Sequence, residues 1–136
     1  MATGMGLFKG KPADPTESGS DNPPVLSSAG TLHLNCADWA RLLHFFQSEN
    51  CTGVIEDHII ERVLHLPQHK GARMSMGWAP AQLKGVSFGA QGSNARWSAT
   101  ALLDDARQRV AIVVCIDGRS SGLSQSAFLA HRLLQI

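Results

Sequence analysis

Two pairs of side chains have residue types that metal or acid–base chemistry uses. His65 and His69 stand four residues apart, the separation that places two imidazoles on one face of a helix. Pro67 lies between them and interrupts such a helix, and no cysteine or carboxylate at ligand spacing completes a tetrahedral set. Asp104 and Asp105 are adjacent, which favours turn residues, because neighbouring strand residues point to opposite faces. We therefore predict no metal site and no cofactor.

A hydroxyl nucleophile and an aromatic binding cluster are the other candidates for chemistry. Ser93 or Ser98 paired with a histidine base would need a strained turn of the G-x-S-x-G type, which the sequence does not contain. The three tryptophans, Trp39, Trp78 and Trp97, would stack on a ligand if they converged in a cleft. One on a helix and two on strands is more typical of a helix packed on a sheet, so we predict that they pack in the core.

The elements that would position these residues follow from the periodicity of the apolar positions. A helix over Cys36 or Ala37 to Gln47, a second over Glu56–Leu66 and a third over Leu123 or Ser124 to Leu134 show a helical repeat. Between the second and third helices the period changes to two, which predicts strands at Arg73–Ala79, Gly85–Gly89, Arg96–Asp104 and Arg109–Asp117. The fold class is α+β: an antiparallel sheet of three to four strands, two N-terminal helices and a C-terminal helix.

Two features of the predicted elements are more specific. The short polar link after Asp104 predicts an antiparallel hairpin between the last two strands, and the last strand is apolar almost throughout, which indicates a central strand covered on both faces. The buried stripe of the last helix is predicted at Leu123, Ala127, Ala130 and Leu134.

Composition limits the class of protein. The chain has 136 residues with 12 Lys+Arg against 11 Asp+Glu, which suits one domain and argues against nucleic-acid binding, since that needs clustered cations. The longest strictly apolar run, Val110–Ile116, has seven residues and is too short for a membrane span. We expect a cytoplasmic protein with reduced cysteines, a flexible arm over residues 1–20 that is rich in Gly and Pro, and one domain over residues 21–136.

The order of segments resembles the C-terminal portion of the serine β-lactamase and penicillin-binding-protein-like family, which includes class C β-lactamases, D,D-peptidases and esterases. The segments that carry the resemblance are Asp21–Leu26, Ala29–His33, Ala37–Ala40, Met74–Trp78 and Gly89–Asn94, followed by the hairpin and the last helix. The resemblance covers residues 21–136, and it implies a sheet bordered by the family's active site.

The catalytic boxes of that family are absent or altered. No serine is followed three residues later by lysine, so the S-x-x-K nucleophile is missing, and the chain has no tyrosine for the second box of the class C branch. The third box, a cation followed by any residue and glycine, falls on Ala90, Gln91 and Gly92. The resemblance implies that Ser93 occupies an oxyanion-hole position. It also implies a residual ligand site, for a small β-lactam- or peptide-like molecule, formed by Gln91, Gly92, Ser93, Asn94 and Arg119.

In the family the final strand pairs with an N-terminal strand that these residues do not encode, so the resemblance implies an open strand edge that something must cover. We expect a homodimer through the last strand edge and the C-terminal helix, with interface residues Val110, Ile112, Val114, Ile116, Leu123, Ala127 and Leu134. The predicted function is a non-catalytic β-lactamase-related domain that acts by self-association or partner binding. The alternatives are part of a serine hydrolase that needs a separately supplied S-x-x-K half, or a small-molecule-binding remnant of that site.

Overall fold

The computed structural model of the chain describes residues 6–8, 11–13, 22–26, 30, 32–47, 53–64, 77–80, 83–94 and 96–136. The strands are β1 (Gly6–Phe8), β2 (Lys11–Ala13), β3 (Ala79–Pro80), β4 (Phe88–Ser93), β5 (Ser98–Asp104) and β6 (Arg109–Cys115), and the α-helices are α1 (Cys36–Gln47), α2 (Asp57–Leu64) and α3 (Ser120–Leu134). Short 3-10 turns cover Pro24–Leu26 and Asp105–Arg107.

The sheet confirms the predicted α+β class. Strands β3, β4, β5 and β6 pair in that order and all antiparallel, with α1 against one face and α3 against the other. We call these the α1 face and the α3 face. Strands β1 and β2 pair only with each other among the described residues, within the segment predicted to be an arm.

Helix α1 has the predicted bounds, and its first turn explains its start. The side-chain Oδ1 of Asn35 accepts a hydrogen bond from the backbone N of Asp38 at 2.8 Å, which satisfies an N–H group that the helix itself leaves unpaired. Leu43 of this helix is 1% exposed, whereas the neighbouring Leu42 is 40% exposed. Helix α2 ends at Leu64, and the last two residues predicted for it lie outside the described residues.

Strand β4 lies further along the chain than predicted. Gly85 has a left-handed φ of 74°, and the backbone N of Val86 donates to the carbonyl of Leu83, so the segment predicted to open the strand is a turn. Pairing begins at Phe88 and continues to Ser93. Of the strand predicted at Arg73–Ala79, the structure describes only its end, where β3 begins at Ala79.

The central strand is β5, and the prediction that the last strand is central is wrong. Six of the seven β5 residues are buried, whereas β6 lies at the edge of the sheet. The apolar run in β6 has a different cause. Helices α1 and α3 both pack on β6, so both of its faces are covered while its outer edge has no partner strand among the described residues. A continuous run of apolar residues therefore indicates that both faces of a strand are covered, and it does not indicate that both of its edges are paired.

Helix α3 begins one turn earlier than predicted, directly after the strand. Its buried residues are Gly122, Ser126, Ala130 and Leu134, four positions that are spaced four apart along one face. Small side chains in the first half of this row allow the helix to approach the sheet closely. A Cβ at Gly122 would lie 1.8 Å from the carbonyl oxygen of Asp117, so only glycine fits there.

Two apolar clusters hold the layers together. On the α3 face the buried residues are Val86, Leu102, Ala111, Ala130 and Leu134. On the α1 face they are Leu43, Ala101 and Leu103, with Trp39, Trp78, Phe88, Val110 and Ile112 packed against them. Trp39 and Trp78 therefore pack in the core as predicted, while Trp97 is half-buried outside both clusters.

Candidate functional site

The segment predicted to be a residual ligand site forms the end of β4, and its side chains are bound within the chain. The Nε2 of Gln91 donates to the Oγ1 of Thr100 at 2.8 Å and to the carbonyl oxygen of Leu123 at 2.7 Å. The hydroxyl of Ser93 donates to the carbonyl oxygen of Gly118. Both side chains thus fasten β4 to the start of α3.

The same hydrogen-bond network continues into the buried layer between the sheet and α3. The hydroxyls of Thr100 and Ser126 are 2.7 Å apart, and the Ser126 hydroxyl donates to the carbonyl oxygen of Leu123 at 3.0 Å. Thr100 is 2% exposed and Ser126 is 0% exposed. A buried network of this kind fixes one helix position, because each shift of the helix would leave a polar group unsatisfied.

Gly92 and Asn94 complete the predicted segment and contribute no convergent polar group. A Cβ at Gly92 would have nothing within 4 Å, so the space beside this glycine is open. The Oδ1 of Asn94 accepts hydrogen bonds from the backbone N of Arg96 at 3.1 Å and of Trp97 at 2.9 Å, which closes the turn into β5. Asn94 therefore has a turn-forming role here.

Arg119 lies in the turn that Ser93 contacts, so the structure does bring it to the end of β4. Its guanidinium is already paired: Nε donates to Asp117 Oδ1 at 2.7 Å and an Nη donates to Oδ2 at 3.1 Å. Hydrogen bonds from Arg119, and then from the Ser121 hydroxyl, hold the pKa of Asp117 well below its usual range, and the same ion pair raises the pKa of Arg119. A ligand carboxylate would have to compete with Asp117.

The remaining polar candidates have structural environments. Ser98 is 0% exposed, and its Oγ has no hydrogen-bond partner among the described residues, so solvent and substrate do not reach it. Asp104 is 2% exposed and accepts from the backbone N of Arg107 at 3.1 Å, while Asp105 accepts from the Nε2 of Gln47 at 3.0 Å. Asp105 lies in the 3-10 turn, as predicted, whereas Asp104 is the last residue of β5 and caps that turn. His65 and His69 lie outside the described residues.

Metal ligation and membrane insertion find no support in the described part of the chain. Its histidines, cysteines and carboxylates form no group of three that would hold a metal ion. Among the helices that the structure describes, none has the length and apolarity needed to cross a bilayer.

The second candidate surface lies at the opposite edge of the sheet. Val114 and Ile116 are 49% and 52% exposed there, and the outer edge of β6 offers its backbone N–H and C=O groups. Of the other residues predicted at an interface, Val110 and Ile112 pack in the α1-face cluster, and Leu123 and Ala127 are half-buried. Leu134 is 1% exposed inside the α3-face cluster, so the core of the chain itself accounts for it.

The exposed apolar residues of α3 were not predicted from the sequence. Phe128, Leu129, Leu133 and Ile136 are 65%, 48%, 52% and 90% exposed. The number of apolar residues in this segment could have predicted them. A helix needs one apolar face to cover the sheet, yet this segment has large apolar residues on more than half of its circumference. The excess indicates a second contact.

Two hydrogen bonds show which flank of α3 carries these exposed apolar residues. His131 and Gln135 contact the carbonyl oxygen of Lys84, just before β4, so this flank of α3 faces β4. One residue turns a helix by about 100°, which places Leu129 and Leu133 on the other flank, toward the open edge of β6. We define the β6–α3 surface as the outer edge of β6 with the exposed side chains of Val114, Ile116, Leu129, Leu133 and Ile136.

Comparisons with known proteins add no assignment: no family model, no curated protein and no solved structure matches the chain.

Proposed function

We propose that the chain is a non-catalytic domain related to serine β-lactamases and that it acts by association through the β6–α3 surface. The observation that carries the proposal is the coincidence of an open strand edge with exposed apolar side chains on the helix beside it. Each feature alone is common on protein surfaces. Together they form a strand edge flanked by exposed apolar side chains, Val114 on the α1 face and Leu129 and Leu133 on the α3 face, which is the composition of a β-strand-pairing site.

The sequence of β6 supports a paired edge. Strands that remain at an edge in water are protected by lysines, prolines, bulges or inward-pointing charges. Strand β6 contains no proline, and its only charged residue is Arg109 at its first position. Its seven residue pairs with β5 run from Ser98–Cys115 to Asp104–Arg109 without interruption by a bulge. An apolar strand with these properties pairs readily with another strand.

The end of β4 supports a non-catalytic role. The chain lacks S-x-x-K and tyrosine, and Ala90 stands where the family has the third-box cation. The side chain of Gln91, at the third-box position next to Ala90, is engaged in hydrogen bonds that fasten β4 to Thr100 and to α3. We therefore expect no turnover of a chromogenic β-lactam or an aryl ester above the buffer rate. Turnover that is lost on replacing Ser93 by alanine would contradict this part of the proposal.

Photo-crosslinking in the producing cells tests the association surface directly. Benzoylphenylalanine in place of Leu129 is expected to give a covalent adduct on irradiation, because this side chain would be buried in the complex. The same replacement at Leu83, which is 46% exposed on the β4 side, is the matched control and is expected to give none.

The mass of the adduct identifies the partner. Twice the chain mass indicates self-association, and a chain with an S-x-x-K helix would indicate a hydrolase assembled from two polypeptides. Absence of any adduct at position 129, or equal yields at positions 129 and 83, would overturn the proposal.

A further inference from the structure

We infer that the occupant of the β6–α3 surface is a second copy of this chain, paired antiparallel along β6 about a twofold axis through Ile112. The inference rests on the proposed function and adds the partner and the register. The two four-stranded sheets would then form one continuous sheet of eight strands.

The first step is the register of the two strands. Ile112 is the middle residue of β6, so an axis there pairs all seven residues: Arg109 with Cys115, Val110 with Val114, and Ala111 with Val113 of the other copy. Residues directly opposite in an antiparallel pair point to the same face. Val110 and Ile112 pack on the α1 face, and Ala111 and Val113 pack on the α3 face, so this register continues both faces across the axis.

The second step is the spacing of the helices. Helix α3 lies across β5 and β6, so its axis stands about half a strand spacing inside β6 and about one strand spacing from the proposed twofold axis, which lies half a spacing beyond β6. With strands about 4.8 Å apart, two copies of α3 would lie about 10 Å apart on the same face, and packed helices lie about 8–10 Å apart. Pairing at the strand edge thus brings the two helices to contact distance without further adjustment.

The third step is the level of the helix residues along the strand. Ser126 contacts Thr100, the partner of Val113 in the sheet, and Ala130 packs with Ala111. Leu129 lies just before Ala130 along the helix and therefore stands near the level of Ile112. A twofold axis through Ile112 brings Leu129 against its own counterpart, on the flank of α3 that faces the edge.

The fourth step is the area. The five apolar side chains of the surface are each between about half and nine-tenths exposed, so about half or more of the area of each is open to a partner. The strand edge and the stems of the exposed residues Gln125 and Arg132, which lie on the same flank of α3, bring the contact toward the ~800 Å² per partner of a standard interface. One symmetry operation covers every part of the surface.

Sedimentation and light scattering of the full chain test the second copy. We expect a dimer that dissociates on dilution through the range of about 1–100 µM, and we expect Leu129→Lys to weaken it at least about tenfold, because two ammonium groups would meet near the axis. Leu83→Lys changes a leucine of equal exposure outside the surface and is expected to leave the dimer unchanged. A monomer at all concentrations, or a dimer that Leu129→Lys does not weaken, overturns the inference.

Cysteine pairing tests the register. In a chain whose Cys36, Cys51 and Cys115 are replaced by serine, Val110→Cys and Val114→Cys are expected to form a disulfide only when the two variants are mixed. Directly opposed strand residues have Cα atoms about 4.5–5.5 Å apart, within the disulfide range, whereas each cysteine would be too far from its own counterpart. A variant that links to itself, or a mixture without the disulfide, overturns the register.

The outcomes separate this inference from the proposed function. A photo-crosslinked adduct of Leu129 with a different polypeptide, together with a monomeric purified chain, would overturn the second copy while supporting the association surface. Lack of an adduct in cells together with a purified dimer linked through positions 110 and 114 would support the geometry and overturn the cellular role.

Discussion

The end of β4 and the outer edge of β6 are two regions of the same sheet with opposite chemical character. At the end of β4, the polar groups of Gln91, Ser93 and Asn94 are hydrogen-bonded to the backbone and to Thr100. At β6, apolar side chains and backbone groups have no cover among the described residues. We therefore expect a partner to bind at the apolar region and not at the polar one, because a hydrogen-bonding group already satisfied offers little to a ligand.

The largest expected effect is a difference in unfolding free energy between alanine substitutions at two glycines, Gly122 at the start of α3 and Gly92 at the end of β4. Gly122→Ala would place a Cβ against the carbonyl oxygen of Asp117, so the turn or the helix must move, and we expect unfolding to require about 3 kcal/mol less free energy. Chemical denaturation followed by circular dichroism measures this.

Gly92→Ala is the matched control, because a Cβ there meets open space. We expect its unfolding free energy to stay within about 0.5 kcal/mol of the wild type. If the two variants were equally stable, the close contact between the start of α3 and Asp117 would not exist in solution.

The next effect concerns the buried hydroxyls. Thr100→Val keeps the shape of the side chain and removes the acceptor of Gln91 and the partner of Ser126, so we expect a loss of about 1–2 kcal/mol in unfolding free energy. Ser124→Ala, at an exposed position of the same helix, is the control and is expected to change stability little. Equal effects of the two substitutions would argue against a network that positions α3.

Two variants with opposite expected effects on stability and on dimerisation test the difference between the end of β4 and the β6–α3 surface. Gln91→Ala removes two hydrogen bonds between β4 and its neighbours and is expected to lower the unfolding free energy by about 1 kcal/mol without changing the dimer constant. Leu129→Lys, at a half-exposed position, is expected to do the reverse. Urea titration at a concentration where the chain is monomeric, together with sedimentation, measures both quantities. An association defect in Gln91→Ala would show that the end of β4 also contacts a partner.

The smallest effect is the pH dependence of the turn before α3. Folding lowers the pKa of Asp117 below its ordinary value of 3.8, because Arg119 and Ser121 donate hydrogen bonds to the carboxylate. The ion pair therefore stabilises the folded chain at pH values above 3.8, and this contribution is lost as the pH falls through the folded pKa. The stability difference between the wild type and Asp117→Asn should shrink in acid. A difference that persists unchanged at pH 2 would exclude the ion pair as its cause.

The elements whose causes are local were predictable from the sequence. The apolar repeat predicted the bounds of α1, and the polar link after Asp104 predicted the β5–β6 hairpin. Errors occurred where a distant contact decides the outcome. The start of β4 depends on the left-handed turn at Gly85, which packs near Gln135 and Arg107 from elsewhere in the chain.

Only the strand residues of the β6–α3 surface were named from the sequence, because a distant contact decides which flank of α3 is exposed. Val114 and Ile116 were named because they belong to the apolar run of the last strand, whose outer edge the resemblance leaves open. Leu129 and Leu133 were missed, since helical spacing alone does not tell which of two apolar flanks meets the sheet. The choice is made by Gly122 and Ser126, whose small side chains let that side of α3 approach β5.

The sequence by itself determined the α+β class, the hairpin, the bounds of α1 and the absence of the S-x-x-K and tyrosine groups, because each depends on residue identity or on contacts within a few positions. Only the tertiary structure decided that β5 is central, that Gln91 and Ser93 are engaged with α3, and that no described residue covers the outer edge of β6 or one flank of α3. These facts depend on which hydrogen-bonding and apolar groups are in contact with residues far along the chain. The periodicity of a sequence predicts which residues share a face of a helix or strand, but it does not predict what lies beside the edge of a strand.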